Sequence, residues 1–227
     1  MKSRLTDLQR LILKRLSGIH PPWTLVGGAA LAEFHLGRRT TRDLDLFWRG
    51  RERLGDLARK VETELENAGL GIRAIQSDPA FCRFKVEGQD EVVVLDLVAE
   101  SAAAILEAEV RDLDGSPIRV AGTREILASK LCALMNRSEP RDLADVEGLL
   151  ETGGDLETAA ADAAEIDTGF SPLILAWVLE KMDVARLAEP AGLDPEEAGL
   201  LDRFRESLVA RLLGLAGPEM LHGLPER

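Results

Sequence analysis

Residues Asp43-Leu44-Asp45-Leu46 alternate acidic and apolar side chains ahead of Phe47-Trp48, a period of two that suits an extended strand with one face turned into a core. Leu44, Leu46 and Trp48 then face inward, and Asp43, Asp45 and Phe47 share the other side. Aspartate is disfavoured in strands because it packs poorly on a pleated, half-buried surface. Two of them at i and i+2 point the same way, close enough to share one cation. A hard ion such as magnesium binds well through one or two carboxylates plus substrate phosphates. Taken alone, the pair also fits a solvated strand face, so its surroundings decide the reading.

Upstream, Trp23-Thr24-Leu25-Val26 reads as a short apolar strand, Gly27-Gly28 as a turn, and Ala29 to Leu36 as a short helix closed by Gly37. A Gly-Gly turn opening a helix leaves backbone N–H groups exposed and lets a phosphate approach closely. Asp96 lies in the apolar run Val92 to Val98. There a lone carboxylate is either protonated, matched by a charged partner, or placed at an exposed sheet edge. If its strand lies beside that of Asp43, it becomes the third carboxylate of a metal cluster.

The rest of the chain divides by period. Leu54, Leu57, Ala58, Val61 and Leu65 mark a helix ending near Gly69, and strand-like stretches follow at 72–76, 81–87 and 91–98, the last two joined by Gly88-Gln89-Asp90. This order predicts a small mixed sheet backed by helices over residues 1–120. From Thr123 the pattern is helical: Leu127, Leu131 and Leu134 mark one helix, Leu143, Val146, Leu149 and Leu150 the next, and two or three more occupy 171–215. Residues 121–227 are therefore expected to form a helical domain, with breaks at 151–154 and 188–192. At the start, Leu5, Leu8, Ile12 and Leu16 predict an opening helix packed on the core.

The net charge of −12 argues against a broad DNA-binding surface. The charge is unevenly spread. Residues 1–60 hold 13 Lys/Arg against 6 Asp/Glu, and residues 121–227 hold 10 against 21. Arg38, Arg39, Arg42, Arg49, Arg51 and Arg53 flank the Asp pair, so a local anion site survives the global sign. No apolar run approaches the roughly 20 residues of a membrane span, and a cytoplasmic location without membrane partners is expected. Cys82 and Cys132 form no spaced motif and read as reduced core residues. His20, His35 and His222 have no metal spacing; His35 reads as a cap or packing residue. Trp23, Trp48 and Trp177 read as core anchors.

The stretch Leu25-Val26-Gly27-Gly28-Ala29-Ala30-Leu31, followed by Arg39-Thr40-Thr41-Arg42-Asp43-Leu44-Asp45-Leu46, resembles the signature of the nucleotidyltransferase superfamily, in particular its AbiEii/AbiGii toxin-like branch. Lys130-Leu131-Cys132-Ala133-Leu134, Arg137 and Arg141-Asp142-Leu143-Ala144-Asp145 resemble that branch's downstream Lys and Arg-Asp motifs. The resemblance covers about residues 23–150. It implies an α+β fold, a nucleotidyltransferase-like small mixed β-sheet with flanking helices followed by a C-terminal helical domain.

By that resemblance Asp43 and Asp45 hold one or two Mg2+ ions, with Asp96 the third ligand if its strand lies beside theirs, and Gly27 and Gly28 form the phosphate-side loop. By the same resemblance Lys130 contacts the nucleotide phosphate; from their positions around these motifs Arg39, Thr41, Arg137 and Arg141 are expected as further nucleotide contacts, and Asp142 as a residue that orients a catalytic side chain or the nucleotide. Spacing agrees in part: Lys130, Leu134 and Arg137 fall on one helical face, which serves either a phosphate cleft or solvent-facing charges. Arg141 and Asp145 have the spacing of a helical ion pair. One residue departs from the pattern. Many members carry Ser or Thr after the second glycine, where this chain has Ala29. The expected activity is magnesium-dependent transfer of NMP from an NTP to a hydroxyl on tRNA or protein, as the toxin of a toxin–antitoxin pair with an antitoxin partner. The alternatives are a catalytically silent nucleotide- or partner-binding module, and an aminoglycoside-type adenylyltransferase.

Overall fold

The computed structural model describes residues 3–37, 40–88, 90–102 and 104–216. The chain divides into two compact units, Met1–Ile126 and Leu127–Arg227. The first is built on a seven-stranded sheet in the order β3-β4-β5-β2-β1-β7-β6. In chain order these are β1 (Thr24–Val26), β2 (Asp43–Arg49), β3 (Gly71–Ser77), β4 (Phe81–Gly88), β5 (Glu91–Glu100), β6 (Glu109–Leu113) and β7 (Ser116–Val120). The sheet is mixed: β2 runs parallel to β5 and β1 to β7, and the other neighbours are antiparallel.

Helix α1 (Asp7–Leu16) starts at a capping box in which Thr6 Oγ1 accepts from the Gln9 amide and the Gln9 side chain accepts from the Thr6 amide. Its buried stripe of Leu8, Ile12, Leu13 and Leu16 packs with α3 (Leu57–Asn67), β5 and β7. The sheet face beneath them carries Leu44, Leu46, Trp48, Phe84, Leu95 and Leu97, all buried. Trp23 and Trp48 are buried and donate their indole N–H to the carbonyls of Leu16 and Pro21, at 2.7 and 2.8 Å. The opposite face of the central strands remains partly open and carries Asp43, Asp45, Phe47, Phe81 and Arg83.

The helix expected over 29–36 instead begins at the glycines, as α2 (Gly27–Ala30), and continues as a π turn over Leu31–His35. His35 Nε2 lies 2.9 Å from the Ala121 carbonyl oxygen, a packing role. The β6–β7 hairpin has no counterpart in the predicted elements. Every residue of β6 but Leu113 is exposed, so its side chains show no apolar alternation, and β7 opens on Ser116-Pro117. The signal that was present is Asp114-Gly115, whose φ values of 50° and 83° make the tight turn.

The helical part contains α4 (Thr123–Arg137), α5 (Pro140–Glu151), α6 (Leu156–Ile166), α7 (Pro172–Lys181), α8 (Val184–Ala191) and α9 (Pro195–Ala216). Helix α6 went unpredicted because its sequence LETAAADAAEI offers little apolar contrast; Asp155 caps it by accepting from the Thr158 amide at 2.8 Å. Trp177 is not a core anchor: it is 54% exposed, and Leu175, Ala176 and Leu179 form the buried face of α7. Both cysteines are free and buried. Burial pushes the Cys132 thiol up to about 11, which keeps it protonated and unreactive at neutral pH. Among the described residues no helix is long and apolar enough to cross a membrane. His222 lies outside the described residues.

Candidate functional site

On the open face of the sheet, register aligns four residues from neighbouring segments. Asp45 on β2 pairs with Asp96 on β5, Asp96 pairs with Arg83 on β4, and Val26, next to Gly27, pairs with Asp45 on the other side. Strands lie about 4.8 Å apart, so side chains in register on one face are close neighbours. Gly27 approaches closest of all. A Cβ built there would lie 2.5 Å from Asp45 Oδ2, and its φ of 65° also disfavours an L side chain. Its conformation favours glycine, and a side chain there would also displace the Asp45 carboxylate. Asp43 sits two residues before Asp45 on the same half-buried face.

The loop entering β2 is held from below. Gln9, fully buried on α1, donates its side-chain amide to the Thr41 carbonyl at 2.9 Å, and Thr41 Oγ1 accepts from the Asp43 amide at 3.3 Å. Thr41 is itself buried. Expected as a nucleotide contact, it is engaged in fixing the start of β2. Arg39 lies outside the described residues. Gly28 lies in the first turn of α2, and Ala29 after it is fully buried. The departure from Ser or Thr at this position thus falls in packed structure.

Asp96 has the charged partner that its burial demands. Arg83 Nε donates to Oδ1 at 2.8 Å and Nη2 to Oδ2 at 2.6 Å, a bidentate pair. The hydrogen bonds to Asp96 hold the Arg83 pKa above its ordinary value, and the charges of Asp96, Asp43 and Asp45 add to the effect. Among the described residues no group of three His, Cys, Asp or Glu side chains is arranged to hold a metal ion. The three carboxylates share a sheet face and an all-oxygen donor set suited to a hard cation, but Asp96 is occupied by Arg83. Sequence reading missed Arg83: a turn taken over 88–90 sets Arg83 opposite Leu95, whereas in the sheet Gly88 itself pairs with Glu91, and that register sets Arg83 opposite Asp96.

Arg49, at the far end of β2, pairs with Glu125, which is buried. Burial pushes the Glu125 carboxyl above its ordinary value, and Arg49 acts against that shift. One arginine flanking the Asp pair is thereby neutralised within the fold.

The downstream motif forms a buried ionic cluster within the helical unit. Lys130 on α4 donates to Asp142 Oδ1 and to Asp145 Oδ2, both at 2.7 Å, and Arg137 donates to both oxygens of Asp142 at 2.7 and 2.9 Å. The Asp142 side chain is 1% exposed and that of Arg137 53%. Burial pushes the Asp142 carboxyl up, but Arg137 and Lys130 outweigh it and hold it below the ordinary carboxylate value. Arg141 does not take Asp145 as its helical partner; it donates to Glu139 at 2.9 Å. The cluster ties α4 to α5, and Lys130, expected at a nucleotide phosphate, bridges two aspartates.

Residues 11–213 match the family described as "Nucleotidyl transferase AbiEii toxin, Type IV TA system". No match was found among curated proteins. Among solved structures, the nucleotidyltransferase toxin MenT4 from Mycobacterium tuberculosis is 15% identical with a TM-score of 0.58, covering 92% of this chain and 91% of its own. JHP933 from Helicobacter pylori is 23% identical with a TM-score of 0.53, covering 97% and 96%. The antibiotic-resistance factor ANT(2'')-Ia is 19% identical with a TM-score of 0.50, covering 72% and 94%. At such identities these likenesses speak for the fold, which is that of the nucleotidyltransferases. With the family match spanning most of its length, the chain belongs to the AbiEii nucleotidyltransferase toxin family and is a nucleotidyltransferase.

Proposed function

We propose that the chain transfers NMP from an NTP to a hydroxyl on tRNA or protein, using Asp43 and Asp45 as the metal-binding pair, and that it is the toxin of a toxin–antitoxin pair. The observation that carries this reading is the juxtaposition of Gly27 with Asp45: a residue without a side chain, in the left-handed region, lies against one of the paired carboxylates, which suits close approach of a phosphate. In the reaction, the acceptor hydroxyl oxygen forms a bond to the α-phosphorus. The bond from that phosphorus to the β-phosphate bridging oxygen breaks, pyrophosphate leaves with the electron pair, and the hydroxyl proton passes to solvent or a carboxylate. Magnesium, when bound, neutralises the triphosphate and acidifies the attacking hydroxyl. Asp43 and Asp45 orient the reacting groups from one strand face, and Thr41 and Gln9 keep that strand in place.

In this reading the sheet half, residues 1–120, carries the chemistry, and the acidic helical half, 121–227, faces acceptor or antitoxin, with the protein acting in the cytoplasm. Lys130, Arg137 and Asp142 support that half as a braced cluster. The toxin role follows the family description and the likeness to MenT4. The acidic half also suits a cationic acceptor, which favours a second reading, an aminoglycoside-type adenylyltransferase; the likeness to an antibiotic-resistance factor is in keeping with it. Incubation of the protein with each labelled NTP, magnesium, total RNA and total protein tests the proposal. Label is expected in RNA or protein with the wild type and absent with Asp43→Ala and Asp45→Ala; label persisting in either variant contradicts it. Growth arrest on expression supports the toxin role, whereas aminoglycoside resistance without arrest supports the second reading.

A further inference from the structure

Arg83 is a charged side chain of the site face that this reaction leaves without a role; Lys85, two residues on along β4, pairs instead with Glu87. It occupies both oxygens of Asp96, at 2.8 and 2.6 Å, and its guanidinium carbon lies 5.5 Å from the centroid of the Phe81 ring, a second cation-binding surface. It stands at the end of the carboxylate row, since its register partner Asp96 on β5 pairs in turn with Asp45 on β2. Three carboxylates brought together at strand spacing repel one another unless a cation stands among them. Arg83 supplies that cation from within the chain. Its side chain is 43% exposed and that of Asp96 10%, so the arginine has an open path away from the pair while the aspartate stays fixed.

We propose that Arg83 is the resident counter-cation of the carboxylate site, holding Asp96 while no metal is bound and moving to a phosphate oxygen of the incoming nucleotide, which frees Asp96 as the third metal ligand. This rests on Asp43 and Asp45 being the metal-binding pair. A guanidinium suits both stations, because carboxylate and phosphate offer it the same bidentate geometry. Metal and nucleotide binding become coupled: the cation gains its third ligand only when a phosphate takes the arginine.

The test is titration of the full chain with Mn2+ alone, followed by electron paramagnetic resonance, in wild type, Arg83→Gln, Arg83→Lys, Asp96→Asn and the double variant Arg83→Gln/Asp96→Asn. Arg83→Gln is expected to bind free Mn2+ about tenfold tighter than wild type, equivalent to about 1.4 kcal/mol, and the gain should vanish in the double variant. Arg83→Lys, which keeps the charge and loses the bidentate fork, should fall between. With an NTP present the order reverses, because the phosphate contact is lost. Unchanged or weaker Mn2+ binding in Arg83→Gln at a wild-type melting temperature overturns the assignment; should Arg83→Gln not fold, wild-type affinity in Arg83→Lys does the same. Asp43→Asn and Asp45→Asn separate the two claims. If they leave Mn2+ and Mn2+–NTP binding intact, the metal-pair reading falls; if they abolish binding while Arg83→Gln matches wild type, only the role of Arg83 falls.

Discussion

Replacing Gly27 by alanine sets a methyl carbon 2.5 Å from a carboxylate oxygen of Asp45 and forces an L residue to a φ of 65°. Gly27→Ala is therefore expected to lower stability by about 1–3 kcal/mol and to displace Asp45; thermal melting and label transfer read the two effects. Asp43→Asn and Asp45→Asn preserve shape and remove charge. If the pair holds a catalytic cation worth several kcal/mol, either change lowers transfer by about 10³-fold or more with the melting temperature nearly unchanged. The sequence already carried Gly27, Asp43, Asp45 and Asp96 as candidates, because glycine and strand aspartate are each out of place unless something requires them. Arg83 was less legible, since an arginine in an alternating strand is unremarkable until its partner across the hairpin is identified. Gln9 was not legible at all: nothing within α1 marks it as the donor to Thr41, 32 residues away.

Between elements, side chains that would be polar and exposed in isolation are buried as braces. Gln9 links α1 to the loop before β2, and Gln9→Leu strands the Thr41 carbonyl and breaks the capping box. A loss of about 1–3 kcal/mol is expected on urea unfolding, with reduced transfer because the Asp43 strand is no longer fixed at its entry. The Lys130–Asp142–Asp145 cluster does the same for α4 and α5. Removing one member leaves a buried charge with fewer partners, so Asp142→Asn should cost about 3 kcal/mol. Helical period found α4 and α5 but not this cluster, because a lysine four residues before a buried leucine looks like any surface lysine. The β6–β7 hairpin was missed for the opposite reason: its turn is marked by Asp114-Gly115, but its edge strand has no apolar side to detect.

For the whole molecule, the ionised cluster gives stability a defined pH dependence. The Asp142 carboxyl lies below its ordinary value in the folded state. Its contribution is thus fully present above the unfolded value, about 3.9, and is lost as pH falls through the depressed folded value. The stability gap between wild type and Asp142→Asn should be constant from pH 5 to 7 and shrink below about pH 4; a gap that grows on acidification contradicts the assignment. The change from strands, which end at Val120, to helices, which run on from Thr123, was visible in hydrophobic period, because the period changes where the element type changes. The sheet order was not, since register between β2 and β5 depends on strands separated by an intervening helix and two other strands.

The most direct test of the carboxylate row is binding of Mn2+ with an equimolar mixture of the four NTPs, followed by electron paramagnetic resonance in wild type and Asp45→Asn at neutral pH. The row running from Gly27 through Asp45 to Asp96 predicts a protein-bound Mn2+–nucleotide signal in the wild type and its loss in the variant. An equal signal in both would contradict it.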